Sequence, residues 1–474
     1  MTSGLSTIDL DVFRRYSGLS LPRHVSYPMP TGWRDLQAVE ATAMLRESRQ
    51  RSPANDISLY LHVPFCERLC RYCACTRIIR PRSQAESISR TRDYVAALLT
   101  EIDALAGLVG GGRTLRQVHW GGGTPTYLST EQLERVHAAL SESFCLADDA
   151  EVAMELDPRV LTSDVLEHLR RLGVCRVSLG VQDFNARVQE HVRRVQPFEM
   201  VRDIVAACRD LGFTSLNFDL IYGLPYQTRQ TIQETIDKTI ALSPDRIAYY
   251  HYAQIPEKVA SQRGLDYTRL PDSESKLEMF LLGVERFEAA GYVFIGLDHF
   301  AKPDEPLAVA LREGTLQRNF QGMTTGGGLD LIGVGASAIG HLAGIGFLQN
   351  VHDPDEYVAC LNRGDWPVTR GKRLTFDDRV RQSVITQLYC SAEIRPTDIE
   401  EQFGVTFASY FGPELDALRE LEADGLVTLQ DDGRVKVTRP MGRVLLRNIA
   451  AVFDAYLEPN AYREGDRRCF SASA

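Results

Sequence analysis

Short apolar segments alternate with longer amphipathic ones from about residue 57 to residue 301. The apolar segments are rich in branched and aromatic residues and have the length of buried strands. They predict strands at residues 58–62, 117–120, 151–155, 176–180, 215–221 and 246–252. Apolar residues at helical spacing predict helices between them, at residues 92–108, 130–143 and 163–172. Six strand–helix units predict an α/β fold, an incomplete (β/α)6 barrel over residues 53–301, with its chemistry at the carboxyl ends of the strands.

The pattern changes on both sides of this barrel. Residues 1–52 are polar and mixed, with several prolines, and predict an N-terminal arm. Residues 302–371 predict an extension of the barrel and a linker. The last segment, 372–474, has helical patterns followed by two strands around the turn Asp431-Asp432-Gly433. The helices are predicted at residues 377–389, 395–403 and 411–424. The strands are predicted at residues 426–429 and 435–438. This order predicts a mostly helical, winged-helix-like domain.

One apolar stretch, residues 329–348, has the length of a membrane span. It carries Asp330 and His341, contains several glycines and lacks basic flanks, which disfavours a span. Its glycines do not have the G-x-G-x-x-G spacing of a dinucleotide-binding loop. We predict a buried turn and a short helix here.

Composition and charge narrow the class of protein. The 474 residues are 44% hydrophobic and 24% charged, as is ordinary for a globular protein. The net charge of -10 disfavours nucleic acid or an anionic membrane as the main partner, and therefore favours a winged-helix-like domain that caps the barrel. The first residues lack an apolar segment of signal-peptide length, so we expect a cytoplasmic protein with reduced thiols.

Four cysteines lie within ten residues, in the segment HVPFCERLCRYCAC; they are Cys66, Cys70, Cys73 and Cys75. Their spacing is neither the two separated pairs of most zinc sites nor the single Cys-x-x-Cys of thioredoxin-like motifs. Three thiolates on a short loop can hold three irons of a cubane cluster and leave the fourth iron for another ligand. A structural zinc knuckle is the alternative that these residues leave open.

A glycine-rich segment, WGGGTP at residues 120–125, directly follows a predicted strand. Glycines at the carboxyl end of a strand let backbone groups approach a ligand closely, although they also suit a simple tight turn. Glu155 and Asp219 stand at the ends of two other strands. Each carboxylate could accept hydrogen bonds from the ammonium or ribose of a ligand, or could be a helix cap or a salt-bridge partner.

With these motifs in view, the cysteine loop resembles that of the radical S-adenosylmethionine (SAM) enzymes. The chain as a whole resembles the oxygen-independent coproporphyrinogen III oxidases, through PRHVSYP, YLHVPFCERLCRYCAC, HWGGGTPTYL, MELDPR, SLGVQDFN, FDLIYGLP, GLDHFAKPDE, RNFQGMTT and LLRNIAAVFDAYL. The departures from the family pattern are small: Ala74, Met29 and His251 stand at positions where the family differs or varies. None of them removes a proposed ligand.

The resemblance implies a 4Fe-4S cluster and two molecules of SAM. Cys66, Cys70 and Cys73 match the cluster ligands, and Gly122 and Glu155 match contacts of the first SAM. The positions that match contacts of a second SAM are Tyr72, Gly123, Thr124, Gln182, Arg194, Asp219, Ala253 and Ile339.

Further positions match residues associated with catalysis. Tyr60 and His62 lie on the strand before the loop and match residues that approach the cluster and the cofactor. Phe320 and Gln321 match positions near the substrate cavity. The resemblance implies that Cys75 does not bind iron and has a role near the substrate or the radical.

The activity implied is the anaerobic oxidative decarboxylation of two propionates of coproporphyrinogen III, which gives the vinyl groups of protoporphyrinogen IX in haem biosynthesis. An unactivated C–H bond is too strong for a side-chain base, so a cofactor-derived 5′-deoxyadenosyl radical must remove the hydrogen. The resemblance also implies a monomer, a low-potential electron donor such as flavodoxin or ferredoxin, and an unidentified acceptor. Candidate partners for the substrate carboxylates are Arg23, Arg77, Arg80 and Lys302.

Three alternatives stand beside this reading. A radical SAM methyltransferase or cyclopropanating enzyme would have similar cofactor sites and a different substrate pocket. A haem chaperone of the same branch typically has phenylalanine at the position of Cys75 and a shorter N-terminus. A non-enzymatic iron–sulfur or zinc module explains neither the glycine segment nor Gln182 and Arg194.

Overall fold

The computed structural model describes residues 8–51 and 56–465. Residues 1–7, 52 and 466–474 of the predicted arm and C-terminal domain, and residues 53–55 of the predicted barrel, lie outside them. The chain forms two compact units: a strand-rich unit, Trp33–Asp219 with Gly328–Leu374, and a helix-rich unit, Met1–Gly32 with Leu220–Gly327 and Thr375–Ala474. Within the described ranges, no helix combines the length and apolar character that a bilayer crossing requires.

The elements are numbered along the chain. The strands are β1 (Arg34–Asp35), β2 (Ile57–Val63), β3 (Phe65–Cys66), β4 (Ile78–Ile79), β5 (Thr114–Gly122), β6 (Cys145–Leu156), β7 (Arg176–Gln182), β8 (Ser215–Tyr222), β9 (Arg246–His251), β10 (Val293–Gly296), β11 (His299–Ala301), β12 (Gln317–Asn319), β13 (Gly322–Thr324), β14 (Asp330–Val334), β15 (Ile339–Leu342), β16 (Gly346–Asn350), β17 (Val368–Arg373), β18 (Glu393–Ile394), β19 (Val427–Leu429) and β20 (Val435–Val437). The α-helices are α1 (Leu10–Tyr16), α2 (Ala38–Arg51), α3 (Ala85–Val109), α4 (Thr130–Ser143), α5 (Ser163–Arg171), α6 (Ala186–His191), α7 (Phe198–Asp210), α8 (Arg229–Leu242), α9 (Ser273–Ala289), α10 (Pro306–Glu313), α11 (Pro354–Asn362), α12 (Phe376–Ser391), α13 (Pro396–Phe403), α14 (Phe407–Tyr410), α15 (Gly412–Ala423), α16 (Met441–Val444), α17 (Leu446–Ala451) and α18 (Ala461–Glu464).

The sheet of the strand-rich unit has the order β1-β17-β16-β15-β14-β2-β5-β6-β7-β8. The pairs from β14 through β2, β5 and β6 to β7 are parallel. All six strands predicted from the sequence are present, as β2 and β5 to β9, and the three predicted helices are α3, α4 and α5. The α/β class with a mostly parallel sheet is therefore confirmed.

The central strands are buried on both faces, which explains why the apolar runs identified them. In β2, six of the seven residues are buried, with Tyr60 the exception. Strands covered on both faces read as continuous apolar segments rather than as alternating ones. The parallel register pairs Val63 at the end of β2 with Gly122 at the end of β5. The carboxyl ends of neighbouring strands therefore meet, and the cysteine loop begins there.

The prediction of a turn and short helix at residues 329–348 is wrong, because this stretch forms β14, β15 and most of β16. A Cβ atom on Gly333 would lie 2.7 Å from the carbonyl carbon of Ile339, so glycine is needed where β14 and β15 approach each other. Because β14 joins β2 in parallel, it adds a strand that the sequence did not predict to the parallel part of the sheet.

The described part of the predicted arm is packed rather than loose. Residues 34–51 form β1 and α2 in the strand-rich unit, and β1 pairs with β17. In the helix-rich unit, Phe13, Tyr16 and Leu21 are buried in the same apolar cluster as residues of α12 and α17. A few widely spaced large apolar residues anchor this segment, although its average composition is polar. The domain boundaries at residues 52, 301 and 371 remain predictions.

The C-terminal part of the helix-rich unit has the predicted order of elements, α12, α13 and α15 followed by β19 and β20. The strand β18 adds a third member, so that the small sheet has the order β18-β20-β19. In the same unit, β9, β11 and β10 form antiparallel pairs.

A buried acid holds together the edge of the strand-rich unit. The carboxylate of Glu101, on α3, accepts hydrogen bonds from Tyr357 Oη (2.5 Å), Asn350 Nδ2 (2.6 Å) and the backbone N–H of Gly335 (2.8 Å). Burial raises the pKa of Glu101 from 4.5 to about 7, although these donors lower it. The acid connects α3 with α11 and with the turn after β14.

We expect this acid to make stability depend on pH. Its pKa is higher in the folded than in the unfolded chain, so its stabilisation is complete below about pH 4.5 and is lost as the pH rises to about 7. The shift corresponds to about 3 kcal/mol. The variant Glu101→Gln cannot titrate at this position. Its thermal midpoint should therefore gain relative to that of the unmodified protein as the pH rises from 5 to 8. The exposed Glu131→Gln is the control; the same gain there would contradict the assignment.

Candidate active site

Tyr60 and His62 form a hydrogen-bonded pair at the end of β2. The Tyr60 Oη and His62 Nδ1 atoms are 3.1 Å apart, and His62 Nε2 lies 3.1 Å from the carbonyl oxygen of Thr76. Burial lowers the pKa of His62, so the neutral ring prevails. Because the Thr76 carbonyl can only accept, we assign the proton to Nε2 and let Nδ1 accept from Tyr60.

The glycine segment at the end of β5 leaves no space for side chains. A Cβ atom on Gly121 would lie 2.7 Å from Glu155 Oε1, and one on Gly122 would lie 2.7 Å from the His62 ring. Gly122 also has a φ of +109°, which residues with a side chain rarely adopt. The backbone N–H of Gly123 donates to the carbonyl of Val63 at 2.8 Å. Glycine is therefore required here by sterics, beyond the needs of a turn.

Glu155, at the end of β6, faces this glycine segment. Its Oε2 accepts from the backbone N–H of Gly122 at 3.2 Å, and its Oε1 lies 3.2 Å from His119 Nε2. The side chain remains 41% exposed, so the carboxylate keeps capacity for a further donor. His119 also stacks on Tyr60, with ring centroids 5.9 Å apart. The sequence reasoning missed His119, although it lies in the quoted HWGGGTPTYL motif.

Two arginines approach the sulfur of the buried Cys70. Arg159 Nη2 is 3.3 Å and Arg194 Nη1 is 3.4 Å from its Sγ atom. Both guanidinium groups also pair with Asp157, at 2.6 Å and 3.4 Å. The network therefore fixes the cysteine loop to residues that follow β6 and β7.

Asp157 is the carboxylate that the two guanidinium groups of this network share. Burial alone would raise the pKa of Asp157, but Arg194 and Arg159 outweigh burial and lower it to about 2. Removing one partner of a buried pair typically costs about 3–5 kcal/mol, because the other charge is left unpaired. Asp157 and Arg159 were missed as site residues, although both lie in the quoted MELDPR motif.

The four clustered cysteines differ in environment. A hydrogen bond with Cys75 lowers the pKa of Cys73 to about 6, whereas burial raises the pKa of Cys66 to about 12 despite its contact with Thr124 Oγ1 at 3.4 Å. Cys75 is exposed, and none of the nine cysteines in the described ranges forms a disulfide. Within residues 8–51 and 56–465, no three His, Cys, Asp or Glu side chains already stand together as metal ligands.

The donor set nevertheless fits an iron–sulfur cluster. Cys66, Cys70 and Cys73 offer three soft sulfur donors on one short loop, as such clusters prefer. The two guanidinium groups beside Cys70 would offset the negative charge of a thiolate-bound cluster.

Four further predicted residues lie in the strand-rich unit. The Asp219 carboxylate accepts from Ser178 Oγ and from Asn217 Nδ2, both at 2.9 Å. Tyr72 is coupled electrostatically to Arg194 and to the cysteines, Gln182 lies at the end of β7 with a φ of +66°, and Ile339 is buried at the start of β15. The structure thus brings Tyr72, in the cysteine loop, close to Arg194.

The remaining predicted residues lie in the helix-rich unit. Ala253 follows β9, and its carbonyl accepts from Gln262 Nε2 at 3.0 Å. Phe320 and Gln321 form the turn between β12 and β13, where the Gln321 N–H donates to Asn319 Oδ1 at 2.9 Å.

The four basic residues predicted for the substrate carboxylates have different surroundings. Arg80 pairs with Glu86 at 2.8 Å, and Lys302 pairs with Asp245 at 3.1 Å. Arg77 donates to the carbonyl of Cys75 at 2.7 Å. Arg23 pairs with Asp298 and lines a cavity of the helix-rich unit.

A parallel sheet with a Cys-x3-Cys-x2-Cys loop and a glycine segment at its strand ends defines the radical SAM class of enzymes. The family model described as the Radical SAM superfamily matches residues 60–239, and the one described as the HemN C-terminal domain matches residues 374–442. The chain belongs to the family of oxygen-independent coproporphyrinogen III oxidases, as its relatives show.

These relatives are similar over nearly the whole chain. The oxygen-independent coproporphyrinogen III oxidase of Pseudomonas aeruginosa is 42% identical over 452 residues, covering 95% of this chain and 96% of the relative. That of Escherichia coli is 41% identical over 454 residues, covering 96% of each. A solved structure of the Escherichia coli enzyme, described as a radical SAM enzyme, aligns with a TM-score of 0.87 and 40% identity, covering 95% of this chain and 99% of that one. The family uses a 4Fe-4S cluster and SAM, and the alternative classes are not favoured.

We expect the cysteines to divide functionally into three and one. Cys70→Ser should lose both the visible absorbance of the reconstituted cluster and turnover, because one thiolate ligand is removed. Cys75→Ser should keep the absorbance and lose turnover. The measurements are iron content, visible spectra and product formation, and bleaching of the cluster in Cys75→Ser would contradict the division.

Gly122→Ala should block use of SAM without loss of the cluster. The added methyl group would meet the His62 ring at 2.7 Å, and the positive φ would be strained. We expect iron content to stay normal and formation of 5′-deoxyadenosine to fall to background. Gly107→Ala is the control, since a Cβ atom there meets nothing within 4 Å. Normal deoxyadenosine formation by Gly122→Ala would disprove the steric argument.

Proposed function

We propose that this chain converts coproporphyrinogen III into protoporphyrinogen IX without oxygen. Each of two propionates would lose one hydrogen atom from its β-carbon, then carbon dioxide and one electron, and so become a vinyl group. When bound, the cluster and SAM supply the 5′-deoxyadenosyl radical that removes the hydrogen atom. Similarity to relatives of this named activity over 95% or more of the chain is the observation that carries the proposal.

The residues around Glu155 would bind and orient the first SAM. The carboxylate of Glu155 would accept hydrogen bonds from a cationic or hydroxyl group, because it is still partly exposed and has acceptor sites left. Gly122 would let the cofactor approach the backbone, since it carries no side chain. Tyr60 and the neutral His62 would keep the His62 ring beside Gly122 in one orientation through their hydrogen bond of 3.1 Å.

Cys66, Cys70 and Cys73 would hold the cluster, and Cys75, Phe320 and Gln321 would act near the substrate. A second SAM would bind at Tyr72, Gly123, Thr124, Gln182, Arg194, Asp219, Ala253 and Ile339. In support, Tyr72 and the buried Arg194 interact electrostatically, so two of these positions lie close together. Flavodoxin or ferredoxin would supply electrons to a monomer in the cytoplasm, and the electron acceptor is unidentified.

An anaerobic turnover assay tests the proposal. The reduced, reconstituted protein is given coproporphyrinogen III and SAM, and protoporphyrinogen IX and 5′-deoxyadenosine are measured. We expect a vinyl product with two SAM molecules consumed per substrate. The Cys70→Ser variant is the matched control for cluster-dependent chemistry. Deoxyadenosine without a vinyl product would contradict the proposed function and favour a radical methyltransferase.

A further inference from the structure

The helix-rich unit contains a cationic cavity with a volume of about 70 Å³. Arg23, Lys276, Arg443 and Arg447 contribute to its walls, and Asp298 is the one carboxylate among the described residues that line it. Buried charges are costly unless they are paired and hydrogen-bonded. An excess of cations in so small a space therefore favours binding of an anion.

The four cations share one carboxylate in the lining of the cavity. Asp298 is already paired with Arg23, and His299 Nδ1 lies 3.1 Å from its other oxygen. Arg447 donates through Nε to the carbonyl of Pro22 at 3.3 Å, and a carbonyl is a dipole rather than a charge. Burial, and then the neighbouring Arg23, lowers the pKa of Arg447 to about 9. Asp298 is thus shared, and the residues that line the cavity include four cations and this one carboxylate.

Two other cations face the cavity from different helices. Lys276, on α9, is partly buried, and burial lowers its pKa. Arg443, on α16, has a buried Nε that meets no hydrogen-bond partner among the described residues, and its guanidinium lies 5.8 Å from the centre of the Phe294 ring. Burial, and after it the neighbouring Arg439, lowers the pKa of Arg443 to about 10, whereas Glu288 raises it. Both cations have capacity for an acceptor.

His251 adds a donor at the end of β9. Burial, and then Lys276, lowers its pKa to about 3, so its ring is neutral and carries one N–H. Its Nε2 atom is buried and has no hydrogen-bond partner within residues 8–51 and 56–465. A Cβ atom on Gly223 would lie 3.3 Å from the His251 ring and 3.4 Å from Lys276 Cε. The missing side chain at Gly223 lets these two donors converge.

We propose that this cavity binds one propionate carboxylate of the substrate, with Lys276, Arg443 and His251 as its donors. This inference rests on the proposed function. A carboxylate offers two oxygens with about four acceptor sites, enough for three donors. One water molecule needs roughly 10–15 Å³, so the cavity has room for a carboxylate arm but not for a tetrapyrrole ring. It would therefore hold one arm and position the ring.

The test compares a charged ligand with its uncharged analogue. Full-length, reconstituted protein is titrated with coproporphyrin III, a fluorescent tetracarboxylate, and with its tetramethyl ester. Lys276→Met removes the ammonium and keeps the chain length, and His251→Phe removes the N–H and keeps the ring beside Tyr222, 5.4 Å away. Each variant should weaken binding of the acid about tenfold and leave binding of the ester unchanged. The KM for coproporphyrinogen III should rise equally, with kcat unchanged.

Lys436→Met, at an exposed position of β20, is the matched control and should change neither affinity. Unchanged binding of the acid by both variants would overturn the inference, and so would equal weakening for acid and ester. If inorganic phosphate raises the thermal midpoint of the unmodified protein but not that of Lys276→Met, while porphyrin affinity is unaffected, the cavity binds a free anion and the inference fails. Absence of turnover by the unmodified protein would contradict the proposed function instead, and the acid–ester comparison would still decide this inference.

Discussion

The buried ion pairs between Asp157 and the two arginines, Arg159 and Arg194, hold the cysteine loop on the sheet. Both arginines reach the sulfur of Cys70, and both pair with one carboxylate that follows β6. In a buried network of this kind, each charge is tolerated only because the others are present. The position of the loop, and with it the geometry of three thiols, therefore depends on residues outside the loop.

The second constraint is space at the strand ends. The parallel register brings the end of β2 beside the end of β5, and β6 pairs with β5 on its other side. Glu155 and His62 then occupy the volumes that side chains of Gly121 and Gly122 would fill. The same missing atoms let Glu155 reach the backbone N–H of Gly122 and leave part of its carboxylate free for a ligand. Sterics and hydrogen bonding thus favour the same arrangement.

The cavity of the helix-rich unit is lined by a larger excess of cations. Around Cys70, one carboxylate is shared by two guanidinium groups that also contact the cysteine sulfur. In the cationic cavity, Asp298 faces Arg23, Lys276, Arg443 and Arg447. In the network at Cys70 each guanidinium has a charged partner, whereas buried cations in excess gain free energy when an anion binds.

The sequence by itself determined the features that residues close together along the chain specify. These are the six strands, the cysteine loop, the glycine segment and Glu155 at a strand end. Apolar runs, thiol spacing and glycine are local signals. The tertiary structure alone decided that residues 330–334 form a strand beside β2, that Arg159 contacts a sulfur 89 positions away, and that Lys276 and Arg443 face one cavity. These outcomes depend on which distant segments the fold brings together, because charge pairing and close packing act through space and leave no periodic pattern along the chain.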